Sequence, residues 1–167
     1  MIMNQKRIRW TAGFTMMEML TVVVIIGIIA AMAVPSFLNY MPKLRVKSNA
    51  REIVSQLRLA RSRAVSERQP YGVAFALGSN AIYTFRDIDD PSSQTYSSSD
   101  SVMRADTLGA DVSLVSCTYA DNCVVFNSTG AASTSGDLQL VTGDGSIVMS
   151  INVLASTGRV RLTEVGS

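Results

Sequence analysis

The stretch Gly13–Leu38, GFTMMEMLTVVVIIGIIAAMAVPSFL, decides the fold of this chain. Glu18 is its one charged residue, and the next charge along the chain is Lys43. As an α-helix, residues 19–42 would extend about 36 Å, enough to cross a bilayer core of about 30 Å. Three basic residues and no acid precede the apolar run. We therefore expect a single-pass segment with the basic flank in the cytoplasm and the rest of the chain outside.

A cleaved secretory signal is the alternative interpretation of this segment. Its parts would be the basic flank, the apolar run and Ala31-Met32-Ala33 as the cleavage site. Two features oppose it. Glu18 places a charge inside the run, which costs about 2.5–3.5 kcal/mol in a membrane helix. The apolar run also continues past Ala33 to Phe37 and Leu38.

The same segment resembles the class III signal of type IV prepilins and type II secretion pseudopilins. The resemblance rests on the basic leader, Gly13-Phe14-Thr15, Glu18 and Pro35. The two residues after Thr15 are both methionine, where family members usually have Leu-Ile. The resemblance implies cleavage after Gly13 by a prepilin peptidase and N-methylation of Phe14. It also implies that the apolar helix is retained as the core of a filament.

Glu18 acquires a physical role in such a filament. Cleavage would create a positive amine at Phe14, and the staggered helices of neighbouring subunits would bring that amine to a Glu18 carboxylate. Pairing offsets the cost of two isolated charges in apolar surroundings. The alternative is a carboxylate that reaches toward the lipid headgroups. Pro35 and Gly27 weaken the helix locally, and they predict either a kink used in assembly or a tolerated bend.

The composition excludes several classes of site. The 167 residues include no histidine, which removes Ser-His-Asp and Cys-His relays and the commonest metal ligand. Two cysteines alone cannot make a structural zinc site. Asp87, Asp89 and Asp90 lack the ligand spacing and the glycine of a calcium loop. We expect neither an enzyme, nor a metal, nor a cofactor.

The helix should continue outside the membrane as an amphipathic segment and end near Glu67, because Pro70 disfavours helical geometry at Gln69. Spacings of three and four residues mark its apolar stripe, which Val54 and Val65 widen. The stripe consists of Val46, Ala50, Ile53, Leu57, Ala60 and Ala64. Residues 43–68 have a net charge of +6, whereas residues 69–167 have −6. This asymmetry predicts attraction between subunits, a solvated helix face, or contact with DNA or anionic lipid.

Beyond Pro70 the pattern changes to short β-type runs separated by Gly, Ser, Asn and Asp. Turns are predicted at Gly78-Ser79-Asn80 and Gly143-Asp144-Gly145, and a polar, mobile surface loop over residues 87–101. The predicted strands are Tyr71–Leu77, Ala81–Arg86, Val112–Ser116, Cys123–Asn127, Leu138–Thr142, Ile147–Leu154 and Arg159–Thr163. The fold class is α+β: a long N-terminal helix, half transmembrane and half amphipathic, packed on an antiparallel sandwich-like head. The predicted parts are a leader (1–13), a transmembrane or filament-core helix (14–42), a basic amphipathic helix (43–68) and the head (69–167).

Cys117 and Cys123 flank the short segment TYADN between two predicted strands. In a domain exported to an oxidising compartment, a disulfide closing this loop is the expected arrangement. Two unpaired buried thiols are the alternative. A Cys-x5-Cys spacing is not a redox motif.

Head motifs give a second resemblance, to minor pilins and pseudopilins of the prepilin-type H/T group. They are Ala60-Arg61-Ser62-x-Ala64, Phe126 four residues before Gly130, and Gly158-Arg159 near the end. Some members of this group bind DNA through a C-terminal Gly-Arg-x-Arg. Because alternate strand residues face the same side, Arg159 and Arg161 would present two guanidiniums together. They could grip phosphates, pair with acids of the head, or remain solvated.

The sequence thus predicts a minor pilin that initiates assembly and lies near the tip of a type IV pilus. The alternatives are a minor pseudopilin of a type II secretion system, a DNA-binding minor pilin of a competence pilus, and an exported binding domain cut at Ala33. Expected partners are other pilins or pseudopilins, the prepilin peptidase, the bacterial inner membrane before assembly, and, in the competence alternative, DNA. The head would face the periplasm before the chain enters a filament.

Overall fold

The computed structural model describes residues 13–88, 94–109 and 111–165. The chain divides into two compact units, residues 1–40 and residues 41–167. The first unit holds the apolar part of one long helix, α1, which runs over Met16–Glu67. The second unit holds the remainder of α1 and the β-rich head. Of the predicted leader, residues 1–13, only Gly13 is among the described residues.

Both ends of α1 have clear local causes. At the start, the backbone N–H of Glu18 donates to the Thr15 hydroxyl at 3.1 Å, which satisfies one of the unpaired donors of the first turn. At the end, Arg68 adopts a φ of 53° and breaks the helix one residue after Glu67, as the following proline predicts. Residues 16–34 are long and apolar enough to cross a membrane.

The apolar stripe of α1 is buried as predicted. All six of its residues have no exposed surface, and Val54 beside them is buried as well. The prediction that Val65 widens the stripe is wrong, because this side chain stays about half exposed. The helix therefore inserts one narrow row of side chains into the head and leaves its arginine-rich side outside.

The head consists of two four-stranded antiparallel sheets. The first has the strand order β3-β2-β1-β5 and the second the order β4-β6-β7-β8. The strands are β1 (Tyr71–Ala76), β2 (Ala81–Arg86), β3 (Ser101–Thr107), β4 (Val112–Cys117), β5 (Cys123–Phe126), β6 (Gly136–Thr142), β7 (Val148–Leu154) and β8 (Arg159–Glu164). A short 3-10 turn, Ala120–Asn122, precedes β5. The α+β class and the two predicted hairpins, β1–β2 and β6–β7, are confirmed.

One main apolar cluster joins α1 to both sheets. It takes the α1 stripe and inward side chains of both sheets, among them Phe126 of β5 and Ile151 of β7, both without exposed surface. Val160 and Leu162 of β8 pack against it from the edge of the second sheet. Since strand side chains alternate between faces, the intervening residues of β8 point away from this cluster.

Strand β3, the edge strand of the first sheet, is not among the strands that the sequence predicts. Its side chains are almost all exposed, so no alternation of apolar and polar residues marks it. A polar network holds it to α1 instead. Arg104 pairs with Glu52 at 2.9 Å and with Asp106 at 2.5 Å. The buried Gln56 donates to Asp106 at 2.6 Å and accepts from the Thr84 hydroxyl at 3.3 Å.

The predicted surface loop over residues 87–101 is packed where it is described. Tyr96 stacks on Tyr83 with a centroid separation of 5.6 Å and tilts over Phe85 at 5.0 Å. Asp100 is buried and accepts from the backbone N–H groups of Ser97 and Ile88. Two of the three aspartates considered for calcium, residues 89 and 90, lie outside the described part. The aromatic contacts of Tyr96 cover the outer face of the first sheet, which explains why this part of the loop is packed although the sequence predicts a mobile one.

Candidate functional sites

The N-terminal site begins at Gly13 and Phe14, which lie just before α1. Phe14 is about three-quarters exposed, and Glu18 lies exposed in the first turn of the helix. A carboxylate in the first turn interacts favourably with the helix dipole. Because the Thr15 cap uses the Glu18 backbone rather than its side chain, the carboxylate is left available for another partner. Helix α1 continues through Pro35, whose side chain lies outside the described part.

The three head motifs meet at one point in the structure. The Arg61 Nε donates to the carbonyl oxygen of Gly130 at 2.9 Å. Gly158 lies against the same carbonyl: a Cβ on this residue would be 2.1 Å from the Gly130 oxygen and 2.9 Å from Arg61 Nε. Gly158 and Gly130 have φ values of +60° and +82°, in the left-handed region that favours glycine. The motifs therefore build a joint between α1, the loop after β5 and the turn before β8.

A compact loop presents the Gly130 carbonyl to that joint. The Asn127 side-chain oxygen accepts from the Thr129 hydroxyl at 2.6 Å and from the backbone N–H of Ala131 at 3.1 Å. The Gly130 N–H donates back to the Asn127 carbonyl at 2.9 Å. Such side-chain bonds to nearby backbone stabilise turns. Phe126, just before the loop, is fully buried.

The two C-terminal arginines lie where the alternation rule predicts. Arg159 and Arg161 are exposed on β8, and Val160 between them packs inward. Within residues 13–88, 94–109 and 111–165, neither arginine has a carboxylate within 4.0 Å. Basic side chains of α1 do have such partners. Lys43 pairs with Glu164 at 2.9 Å, and Arg45 pairs with Asp111. The Lys43 hydrogen bond lowers the pKa of Glu164 below its ordinary value.

Arg159 also lines an open cleft of about 950 Å³ beside the joint. Helix α1 contributes one wall, and the turn before β8 with the start of that strand contributes the other. The lining residues are Arg58, Arg61, Ser62, Val65, Ser66, Thr157, Gly158, Arg159 and Val160. Sequence reasoning paired Arg159 with Arg161 because both lie on one strand. It could not place Arg159 beside Arg58, which lies about a hundred residues earlier in the chain.

Cys117 and Cys123 are not bonded to each other in the structure, and the disulfide between them stays a prediction. Cys117 packs against the main cluster. Cys123 lies in a separate cluster with Ala74, Phe85 and Val125. The two thiols therefore point into different apolar regions. Burial raises the pKa of both thiols, which keeps them protonated near neutral pH.

Metal-binding geometry is not found in the described ranges, where no group of three or more acidic or cysteine side chains could hold an ion. What the chain offers at its surface is an exposed apolar helix, a carboxylate in its first turn and a basic side of the head. These features suit binding to other macromolecules.

The residues that form the joint lie within the part of the chain that matches a known protein family. Residues 49–158 match the family model described as Type II transport protein GspH. The matched range begins in the amphipathic part of α1 and ends at Gly158. It therefore contains all three motif residues of the joint. The chain belongs to this family. The family comprises minor pilins and pseudopilins, which are structural subunits.

Solved structures share the fold of this GspH-family chain. One is the minor pseudopilin EpsH from the type 2 secretion system of Vibrio cholerae, with 16% identity and a TM-score of 0.58 over 74% of this chain and 99% of that one. Another is the type IV minor pilin FimU of Pseudomonas aeruginosa, with 17% identity and a TM-score of 0.57 over 74% of this chain and 92% of that one. No curated protein matches the chain. One of these neighbours belongs to a secretion system and the other is a type IV minor pilin, so the shared fold does not distinguish between the two.

Proposed function

We propose that this chain is a minor pilin that initiates assembly of a type IV pilus and lies near its tip. One observation carries the proposal: an exposed apolar helix that begins two residues after Phe14, with the exposed carboxylate of Glu18 in its first turn. A subunit stored in the membrane and then packed through this helix needs such a surface. The acid supplies a partner for the amine that cleavage after Gly13 would create.

Processing tests the proposal directly. The full chain is recovered from membranes of its native host, and its N-terminal sequence and intact mass are measured. We expect a chain that starts at N-methylated Phe14, and we expect the same species in filaments sheared from the cells. A mature N terminus at Val34 would overturn the proposal, because the apolar helix would then have been discarded.

The same subunit in a type II secretion pseudopilus is the nearest competing function. It is supported by the family description and by the likeness to a pseudopilin of a secretion system. Deleting the gene separates the two. Loss of surface pili with normal protein secretion supports the pilus. Accumulation of secreted enzymes in the periplasm with normal pili supports the pseudopilus.

DNA binding by a competence pilus is a second candidate function, favoured by the exposure of Arg159 and Arg161 without a carboxylate partner in the described part of the chain. Two guanidiniums on one strand face can contact phosphates without reading sequence. Binding of duplex DNA by the full chain in detergent should weaken as salt rises. Replacing both arginines by alanine should lower the salt slope by about two. Arg51 and Arg68, also exposed, provide a control pair of equal charge.

A further inference from the structure

The cleft beside the joint is lined by arginines that form no ion pair with the described residues of the chain. Arg58, Arg61 and Arg159 line it, and no described acidic side chain lies among its lining residues. None of the three has a carboxylate within 4.0 Å in the described part of the chain. In contrast, Lys43 and Arg104 elsewhere in the same unit are paired with carboxylates. The cleft is thus a basic region with room for a ligand.

Its shape and chemistry discriminate between anionic ligands. Val65, about half exposed on α1, contributes apolar surface to the cleft, and Val160 lies in the opposite wall. The phosphate groups of a nucleic acid gain nothing from such surface, whereas a peptide can place an aliphatic side chain on it and a carboxylate beside it. The hydrogen bond from Arg61 Nε to Gly130 fixes that guanidinium and leaves its two terminal nitrogens available. Two such nitrogens match the two oxygens of a carboxylate.

We propose that this cleft docks an acidic segment of a neighbouring pilin-type subunit, with a carboxylate bound by the cleft arginines and an adjacent aliphatic side chain against Val65. The proposal rests on the proposed filament function and names the partner surface for it. Charge complementarity supports this occupant, because residues 43–68 of this chain carry +6 and its own head, residues 69–167, carries −6. A neighbour with a similarly acidic head would present carboxylates to the cleft.

Site-specific photo-crosslinking in the native host tests the proposal on the full chain. A benzophenone amino acid replaces Ser62, which lines the cleft, or Ser79, an exposed residue of the β1–β2 turn, as the control. We expect the Ser62 position, and not the Ser79 position, to cross-link to another subunit of the same filament. Mass spectrometry of the adduct should place the link in a peptide that contains Asp or Glu.

Charge reversal supplies the decisive comparison. Arg159→Glu should lower the yield of the Ser62 adduct at least about tenfold, because like charges would face each other. Arg51→Glu changes the net charge equally but lies outside the cleft, and it should leave the yield unchanged. Changing the partner's cross-linked acid to lysine in the Arg159→Glu background should restore the adduct.

The possible outcomes distinguish a failure of the docking proposal from a failure of the proposed filament function on which it rests. A chain that enters filaments but gives no Ser62 adduct, an adduct insensitive to Arg159→Glu, or an adduct with nucleic acid or lipid overturns the docking proposal alone. A chain absent from every filament overturns the proposed function, and the docking proposal with it.

Discussion

At the scale of single residues, the joint of Arg61, Gly130 and Gly158 gives the head motifs a structural cause. An arginine side chain, a carbonyl and a glycine backbone occupy one small space. Each member restricts the others: Gly158 must lack a side chain so that the Gly130 carbonyl can reach Arg61. The motifs that the sequence suggested as a family signature therefore stabilise the contact between helix and head, and two of their residues, Arg61 and Gly158, line the basic cleft.

Gly158→Ala tests this joint. The added Cβ would overlap the Gly130 oxygen and would sit at a φ of +60°, so we expect a loss of about 2–4 kcal/mol in the free energy of unfolding. Urea denaturation of the full chain in detergent measures it. Gly78→Ala is the matched control, because a Cβ at Gly78 has no atom within 4 Å. Equal stability of the two variants would contradict the geometry.

Asp144 in the β6–β7 turn gives a pH prediction. Its carboxylate accepts from the Thr142 hydroxyl and from the Ser146 backbone and hydroxyl, and these bonds lower its pKa to about 2. A lowered folded-state pKa contributes stability above the ordinary pKa of 3.8, and this contribution is lost as pH falls through about 2. Carboxyl NMR titration should place the midpoint near 2, and Thr142→Val should raise it. A parent midpoint near 3.8 would refute the bonding.

At the scale of elements, α1 performs two tasks with two different surfaces. Apart from Glu18 in the first turn, residues 16–34 are mainly apolar on all sides and exposed, which suits a membrane or a bundle of like helices. The part that follows buries a single stripe in the head. On its other side lie exposed arginines, two of which line the cleft. The element thus links the anchoring segment, the core of the head and the basic surface.

The stripe can be tested with a pair of leucines two residues apart. Leu57 has no exposed surface, whereas Leu59 is 44% exposed. Leu57→Ala should lower the free energy of unfolding by about 2–5 kcal/mol, because it removes buried methyl groups and leaves a cavity. Leu59→Ala should change it by no more than about 0.5 kcal/mol. Chemical denaturation of both variants measures the difference, and similar losses would mean that α1 is rotated on the head.

At the scale of the whole molecule, charge is distributed in a way that suits assembly. Ion pairs tie parts of the head to α1, as Lys43–Glu164 and Arg104–Glu52 illustrate. The cleft arginines and the Glu18 carboxylate have no such ion pair among the described residues. In a filament of staggered subunits, these remaining charges are the ones that neighbours would meet.

Glu18→Ala should leave membrane insertion and processing intact, since it removes a charge from an apolar helix and keeps the Thr15 cap, which uses the backbone. It should reduce the amount of the chain in sheared filaments, because the amine of a neighbour loses its partner. Glu18→Gln keeps the side-chain length and should be equally defective. Thr21→Ala serves as a neutral control in the same helix. Normal incorporation of the glutamine variant would disprove the pairing.

Sequence patterns alone predicted those parts of the fold that depend on local periodicity and turn chemistry. The buried stripe of α1, its end at Glu67 and the hairpins at Gly78 and Gly143 follow from spacing, proline and glycine. The α+β class and the family resemblance also follow from patterns within the chain. In each of these cases, neighbours in sequence carry the physical signal.

Tertiary structure decided what depends on residues far apart in the chain. Strand β3 is held by ion pairs and backbone bonds rather than by an apolar face, so no period marks it. The cysteines lie six positions apart, yet they enter different clusters because β4 and β5 belong to different sheets. Arg159 joins Arg58 in one cleft only because β8 returns to the end of α1. Local sequence determines which face of a helix or strand a side chain occupies, but only the tertiary structure determines which residues it contacts.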